Sequence, residues 1–171
     1  NNMIEAGQNK VKLKTNPKQL YEHQVEALKK KKKMEQHDSF KSILVIPTGG
    51  GKTLTACWWL LNGALNQKKK VLWLAHRQLL LEQAYKTFEL NAYADVMTNQ
   101  WGFNYRIISG AHQSTKLVEK TDDLLIVSKD SLAKRVKSLD RWLRGEKELY
   151  VVVDEAHHAS APTYEKILTH L

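Results

Sequence analysis

Short apolar runs alternate along this chain with longer segments whose apolar residues recur at helical spacing. The apolar runs predict strands near residues 41–46, 71–75, 105–109, 124–128 and 149–153. The helically spaced segments predict helices near residues 17–33, 52–67, 77–90, 130–143 and 161–171. Strands that alternate with helices are typical of βαβ units. The pattern therefore predicts an α/β fold in three layers, with a mainly parallel sheet flanked by helices.

The first residues do not follow this pattern. Residues 1–16 are polar and lysine-rich and lack sustained periodicity, so we expect a leader of low order there. Residues 17–171 have the length of one domain, and the apolar content of the whole chain, 42%, suits a globular core. The chain is too short for two domains of this kind.

A glycine-rich segment follows the first predicted strand. Residues 46–53 read Ile-Pro-Thr-Gly-Gly-Gly-Lys-Thr, and the glycines allow a tight loop whose N–H groups point inward at anionic oxygens. Lys52 offers a charge to the β- and γ-phosphates of a nucleotide, and Thr53 offers a hydroxyl to Mg²⁺. The usual pattern has glycine where Ile46 stands, so an ordinary glycine turn is the alternative. The predicted phosphate-binding residues are Thr48, Gly49, Gly50, Gly51, Lys52 and Thr53.

An acidic pair follows the last predicted strand. Tyr150 and three valines lead into Asp154 and Glu155, which places the pair at the carboxyl end of a strand, where open α/β sheets bind ligands. We expect Asp154 to hold Mg²⁺, partly through water. We expect Glu155 to orient and deprotonate the water that attacks the γ-phosphate. Two exposed acids at the end of a strand are the alternative, and the neighbouring His157 and His158 lack the spacing of a zinc site.

These segments resemble motifs of the DEAD/DEAH-type superfamily 2 helicases and translocases. The acidic segment reads Asp-Glu-Ala-His, and the stretch from Asp154 to Leu168 is similar to bacterial DNA helicases and to the motor subunits of restriction enzymes. Residues 20–28 resemble the adenine-reading segment of that family, which implies that Gln24 hydrogen-bonds the base. Residues 71–77 resemble its motif Ia, and residues 125–132 resemble a later motif that touches the nucleic-acid backbone.

The resemblance covers residues 17–171, nearly the whole chain. It implies a P-loop domain of the RecA-like kind that uses ATP and Mg²⁺. It also implies a catalytic set made of Lys52, Asp154, Glu155 and His157.

Three predicted strands end in residues that suit an anion. Each strand end offers hydroxyls or unpaired N–H groups at the carboxyl edge of the sheet, where a DNA or RNA phosphate is the candidate ligand. Helix capping explains each strand end separately and remains the alternative. The predicted nucleic-acid-binding residues are His76, Arg77, Ser109, Gly110, Ser128 and Lys129.

Charge and cysteine content narrow the class of protein. The chain has 27 basic and 18 acidic residues, and its charge of +9 favours a polyanionic partner. The lysine runs at 29–33 and 68–70 are expected to be solvated turns or helix ends, with phosphate contact as the alternative. A single cysteine suits a reducing compartment, and the apolar run 53–61 is about half the length of a membrane span. We therefore expect a cytoplasmic protein with no membrane segment.

An irregular segment, residues 91–104, carries several aromatic side chains. Aromatic residues beside basic ones can stack on unpaired bases, but such residues more commonly pin a loop to the core. The candidates are Tyr93, Trp101 and Phe103.

Taken together, these features predict the ATP-binding domain of an ATP-dependent helicase or translocase that acts on DNA rather than RNA. The resemblance implies a downstream Ser-Ala-Thr segment and a second RecA-like domain that supplies arginine fingers. This chain stops at Leu171, before either, so we expect a C-terminal RecA-like domain of the same parent as partner and almost no turnover by the isolated chain. A P-loop kinase, a non-motor nucleotide switch, an RNA helicase and a catalytically silent nucleic-acid-binding module are the alternatives.

Overall fold

The computed structural model describes residues 3–17, 40–46, 52–76, 78–110, 118–154 and 161–171. The strands within these ranges are β1 (Met3–Lys10), β2 (Lys41–Ile46), β3 (Lys70–Ala75), β4 (Gly102–Ser109), β5 (Leu124–Ser128) and β6 (Leu149–Asp154). The α-helices are α1 (Lys52–Gly63), α2 (Gln78–Asn91), α3 (Lys129–Ala133), α4 (Leu139–Leu143) and α5 (Ala161–His170). Short 3₁₀ turns lie at Leu65–Gln67 and Val136–Ser138.

The described strands form one sheet in the order β1-β4-β5-β3-β6-β2. Strands β2 to β6 pair in parallel, and only β1 is antiparallel to its neighbour β4. The predicted α/β fold with a mainly parallel sheet is confirmed. Because the five parallel strands run in one direction, their carboxyl ends lie along a single edge, which we call the carboxyl edge.

The core lies in two layers, one on each face of the sheet. Successive strand residues point to opposite faces, so Val152 of β6 joins the layer under α1 and α2 whereas Val151 and Val153 join the layer under α3, α4 and α5. All six residues of β3 and of β6 are buried. Strands covered on both faces read as continuous apolar runs, which is why the sequence located them so directly.

Aromatic side chains fill both layers. Trp73 of β3 meets Phe88 of α2 edge-to-face, with ring centroids 5.5 Å apart, and Phe88 meets Phe103 of β4 in a similar way at 6.5 Å. On the opposite face, Trp142 of α4 is only 1% exposed and donates its indole N–H to the carbonyl of Asp122 at 2.7 Å. Burying a phenyl side chain stabilises the fold by about 1.5–3 kcal/mol, so these rings hold the helices firmly against the sheet.

The prediction of a low-order leader was wrong for residues 3–10. These residues form β1, which pairs with β4 from Met3 opposite Ser109 to Lys10 opposite Gly102. An edge strand is held by its backbone ladder on one side only, so it needs no apolar periodicity. Sequence pattern alone therefore gave no sign of it.

The prediction of one helix over residues 130–143 was also wrong. The segment contains α3, a 3₁₀ turn and α4, because Arg135 leaves the helical region with φ −144° and ψ 39°. Strand β4 also begins at Gly102, earlier than the expected residue 105. The predicted helix at 17–33 lies almost entirely outside the described residues.

Candidate nucleotide and nucleic-acid sites

The strands that precede the glycine-rich segment and the acidic pair end side by side. Strands β2 and β6 are parallel neighbours, and their register pairs Ile46, the last residue of β2, with Asp154, the last residue of β6. The last described residue before the glycine-rich loop therefore lies beside Asp154 at the carboxyl edge. Residues more than one hundred positions apart in sequence meet there because β2 and β6 are parallel neighbours in the sheet.

Helix α1 carries the cationic part of this site. It begins at Lys52, whose side chain is exposed, and continues through Thr53, which is half-buried. Cys57 lies about 7.5 Å further along the helix axis, given the rise per residue, and is fully buried. Burial raises the pKa of the Cys57 thiol, and the nearby Asp154 carboxylate raises it further, so the buried face of α1 lies close to Asp154.

Asp154 itself is only 5% exposed. Its backbone carbonyl accepts a hydrogen bond from the hydroxyl of Tyr164 in α5 at 3.3 Å. This bond joins the end of β6 to α5. The residues before and after segment 155–160 are therefore linked directly to each other.

Several predicted site residues lie outside the described part of the chain. For the nucleotide site these are Gln24, Thr48, Gly49, Gly50, Gly51, Glu155 and His157, and for the nucleic-acid site Arg77. Their assignments stay predictions. Lys52, Thr53 and Asp154 are the predicted nucleotide-site residues whose positions the structure gives.

The ends of β4 and β5 are tied together at the predicted nucleic-acid site. Ser128 is the N-cap of α3: its Oγ accepts from Ser131 N at 3.2 Å and donates to Ser131 Oγ at 2.9 Å. Ser131 Oγ in turn donates to the carbonyl of Gly110, which has a φ of +97° that favours glycine. The capping role that was the alternative for Ser128 is therefore present, and it also fixes the distance between two strand ends.

The other predicted contacts at this edge differ in exposure. His76 follows β3 and is exposed, whereas Ser109 at the end of β4 is 4% exposed. The Lys129 side chain is 6% exposed, with Nζ 2.7 Å from Asp130 Oδ1 and 6.0 Å from the centre of the Tyr164 ring. A phosphate at this strand end would therefore meet Ser128 and backbone groups before the Lys129 ammonium.

Other basic side chains are used inside the fold. Lys70 is 6% exposed and donates to the carbonyl of Asp122 at 2.7 Å, and Arg106 Nε lies 2.7 Å from Asp122 Oδ2. Burial lowers the pKa of Lys70, and nearby acids, Asp123 foremost, oppose that shift. The expectation that Lys68, Lys69 and Lys70 all lie in solvated positions was therefore wrong for Lys70. These groups hold the amino-terminal edge of the sheet, opposite the predicted sites.

The aromatic residues of segment 91–104 divide into two groups. Phe103 is 2% exposed and Tyr93 is half-buried beneath the ammonium of Lys12, at 5.1 Å. These two pin the segment to the core, the commoner of the two roles considered. Trp101 is 81% exposed, but it precedes β4 and so lies at the amino-terminal edge, away from the carboxyl edge.

Comparison with known proteins agrees with this arrangement. A family model described as "Type III restriction enzyme, res subunit" matches residues 17–171. The chain belongs to this family. Its sheet and helices are those of a RecA-like, helicase-like motor domain.

A curated relative points to the same class of protein. The chain is 26% identical over 160 residues to a protein described as ATP-dependent DNA helicase Hel308 from Thermococcus kodakarensis. The alignment covers 90% of this chain but 13% of that helicase, so the chain spans about an eighth of the length of the relative.

Sequence reasoning missed two residues of this res-subunit domain that the structure brings to the sites, Ser131 and Tyr164. Tyr164 begins an apolar series with Ile167, Leu168 and Leu171, at helical spacing. That spacing predicts a buried face of a helix but says nothing of a hydroxyl directed at Asp154. Ser131 lies three residues after Ser128, the spacing of a capping interaction, which was a usable signal.

In the described ranges, every helix is too short or too polar for a membrane span. Within the same ranges, His, Cys, Asp and Glu residues form no group of three or more able to hold a metal ion.

Proposed function

We propose that this chain is the ATP-binding domain of an ATP-dependent motor that unwinds or translocates along nucleic acid. The observation that carries the proposal is the register of β2 and β6. This register pairs Ile46, the first residue of the glycine-rich segment, with Asp154. Helix α1, which follows that segment, begins with Lys52 and Thr53. This is the set of groups that a nucleoside triphosphate and its magnesium ion require.

The residues present suit MgATP. Lys52, exposed at the first turn of α1, would bind the β- and γ-phosphates, and the Thr53 hydroxyl and Asp154 carboxylate would hold Mg²⁺. When bound, Mg²⁺ supplies positive charge that offsets the charge of the phosphates. Glu155, the next residue after Asp154, orients and deprotonates the attacking water, His157 completes the acidic motif, and Gln24 reads the base.

We propose DNA as the polymer, with RNA as the alternative. The support comes from the similarity to the Thermococcus DNA helicase and from the restriction-enzyme family to which the chain belongs. The charge of +9 favours either polyanion. The exposed His76, the neighbouring Arg77 and the Ser128 strand end are the proposed backbone contacts.

Hydrolysis in this proposal needs a partner domain. A second RecA-like domain of the same parent would supply arginine fingers, each worth on the order of 10³–10⁵ in rate. The 171-residue chain alone should therefore bind nucleotide weakly and hydrolyse it hardly at all. Its single cysteine, Cys57, is buried and forms no disulfide, which suits the reducing cytoplasm.

A P-loop kinase or a non-motor nucleotide switch is the main competing class. Such proteins have no need for the proposed backbone contacts at His76, Arg77 and Ser128. The res-subunit family assignment also favours the motor.

The test is ATP hydrolysis by the natural protein that contains this chain, with and without single-stranded DNA, duplex DNA or RNA. We expect DNA to raise the rate, and Lys52→Ala to lower the stimulated rate by on the order of 10²–10³. Lys86→Ala is the matched control, since Lys86 is an exposed lysine of α2 paired with Glu89 at 3.5 Å. No rise with any polynucleotide would favour the kinase or switch, and greater stimulation by RNA than by DNA would reverse the substrate assignment.

A further inference from the structure

The two most exposed large apolar side chains of the described residues line the same groove. Trp101 is 81% exposed and Leu13 is 74% exposed. The groove has a volume of about 240 Å³, and the rest of its apolar lining comes from Val11, Ala94 and Met97. Single exposed apolar residues are common on protein surfaces. Two of them on one apolar groove form a continuous patch instead, and such a patch is typical of an interaction site.

Backbone hydrogen bonds hold the walls of this groove in place. Val11 follows the last residue of β1, and its N–H donates to the carbonyl of Trp101 at 2.8 Å. Met97 is 1% exposed, and its N–H donates to the carbonyl of Tyr93 at 2.8 Å. A groove built on paired backbone has its shape before a partner arrives, so binding there costs little conformational entropy.

The polar residues along the groove already have partners within the protein. Asn66 Nδ2 donates to Thr98 Oγ1 at 3.2 Å, and Gln100 Nε2 donates to the carbonyl of Asn66 at 3.3 Å. The N–H of Asn99 donates to Asn66 Oδ1 at 2.6 Å. A nucleobase is recognised through donors and acceptors that meet its edges, whereas an apolar side chain needs none. The lining therefore suits an apolar anchor better than a base.

The charge around the groove is positive. Residues 10–16 contain three lysines and no acidic residue, and residues 91–101 contain one acid, Asp95. Lys10 and Lys14 are exposed, and the Asp95 carboxylate accepts from the N–H of Asn16 at 3.1 Å. Carboxylates beside the apolar anchor of a partner would complement this charge. A second copy of the chain would not, because a two-fold interface sets the same patch, and hence lysine, against itself.

We propose that this groove binds an acidic segment of a partner protein. An apolar side chain of that segment fills the space between Leu13 and Trp101, and its carboxylates meet Lys10 and Lys14. The groove lies at the amino-terminal edge of the sheet, beside the start of β4. Because β4 has eight residues, its two ends are about 25 Å apart. The partner segment and a nucleic acid at the carboxyl edge can therefore be bound at the same time.

The test measures the binding of a fluorescein-labelled synthetic peptide to the natural protein that contains this chain, by fluorescence anisotropy. The peptide carries leucine and phenylalanine between runs of glutamate. One control peptide has serine in place of the two apolar residues, and the other has lysine in place of the glutamates. We expect saturable binding of the first peptide and binding weaker by about tenfold or more for each control.

Variants of the protein locate the binding site. Trp101→Ala should weaken peptide binding by about tenfold or more, as truncation of an aromatic anchor does. Leu79→Ala is the matched control, since Leu79 is 60% exposed but lies on α2, outside the groove. Both side chains are exposed, so neither change opens a cavity, and thermal melting should stay close to that of the unchanged protein. Combining Lys10→Gln with Lys14→Gln should mainly slow association.

Three results would overturn the proposal. The first is a peptide that does not bind, or that binds Trp101→Ala as tightly as the unchanged protein. The second is a fluorescent oligothymidine whose affinity falls in Trp101→Ala as far as that of the peptide, which would identify a nucleic-acid strand as the occupant. The third is a dimer that sediments as such and dissociates in Trp101→Ala, which would identify a second copy.

This proposal is independent of the proposed ATP-dependent function. DNA-stimulated ATP hydrolysis by Trp101→Ala should equal that of the unchanged protein, because Trp101 lies at the opposite edge of the sheet from the predicted nucleotide site. An unchanged protein that no polynucleotide stimulates would overturn the proposed function and leave the peptide measurements unaffected. Loss of peptide binding would remove this proposal alone.

Discussion

At the scale of a single residue, Cys57 is a buried thiol close to the predicted nucleotide site. It lies on the buried face of α1, between the first turn with Lys52 and the core, and its thiol is fully buried near Asp154. Both burial and the carboxylate favour the neutral thiol. The reactive form, the thiolate, is therefore suppressed in the folded protein.

We expect Cys57 to resist alkylation while the protein is folded and to react fully in denaturant. The measurement is the rate of reaction with iodoacetamide at pH 8, with and without urea, followed by mass spectrometry. Rapid labelling of the folded protein, at the rate seen in urea, would show that α1 does not cover the thiol.

The same shift predicts a dependence of stability on pH. The folded pKa of Cys57 lies above its ordinary value of 9.0, so its contribution to stability is complete below about pH 9 and is lost as pH rises toward the folded pKa. Tyr150, whose pKa burial raises from 10.0 to about 12, adds a similar loss above pH 10. Urea unfolding of the protein and of Cys57→Ala at pH 8 and 10 separates the two residues. Raising the pH from 8 to 10 should lower the free energy of unfolding of the unchanged protein more than that of Cys57→Ala.

The pairing of edge strand β1 with β4 depends on one glycine, Gly102. Gly102 begins β4 opposite Lys10 of β1. A Cβ at this glycine would lie 2.5 Å from the carbonyl oxygen of Asn9, a backbone atom that cannot rotate away. The pairing of β1 with β4 therefore requires a residue without a side chain at this place.

We expect Gly102→Ala to destabilise the fold by about 1–3 kcal/mol, because β1 must shift to relieve the contact. Gly63→Ala is the control. An added Cβ there meets nothing closer than Trp59 Nε1 at 3.8 Å, and alanine suits the end of α1, so the change should be neutral or stabilise by about 0.4–1 kcal/mol. The free energy of unfolding in urea and hydrogen exchange of the β1 amides measure both effects. Equal stability of the two variants would contradict the β1–β4 register.

At the scale of the whole molecule, some of the basic residues are buried inside the fold and do not face a binding partner. Arg106 and Lys70 hold the amino-terminal edge of the sheet, and Lys129 is buried against α5. The net charge of +9 therefore overstates the number of cations that face a polyanion. Binding strength should follow the smaller, exposed set.

We expect binding of a fluorescent duplex DNA to the 171-residue chain to weaken roughly 100-fold between 50 and 200 mM salt, as neutralisation of about four phosphates requires. Fluorescence anisotropy at several salt concentrations gives the slope. A slope near zero would mean that the exposed lysines are only a solvated surface. A slope two or three times steeper would mean that more than four of the exposed cations contact phosphates.

The sequence alone predicted much of this fold and part of the candidate site. Strands β2, β3, β5 and β6 were predicted because chains buried on both faces must be continuously apolar. Lys52 and Asp154 were predicted from the groups that phosphate and Mg²⁺ require, and their roles stay predictions. Edge strand β1 was missed because its pairing lies in the backbone, and the break at Arg135 was missed because residue type there does not forbid a helix.

Local pattern and side-chain chemistry thus determined the buried strands, the apolar faces of most helices and the residues that suit a nucleotide. The tertiary structure alone decided that Ile46 lies beside Asp154, that Lys70 and Lys129 are buried, and that Tyr164 reaches the Asp154 carbonyl. The reason is physical. Periodicity and propensity act over a few neighbouring residues, whereas strand order and the partner of a buried hydroxyl depend on how distant segments pack, which no local window of sequence contains.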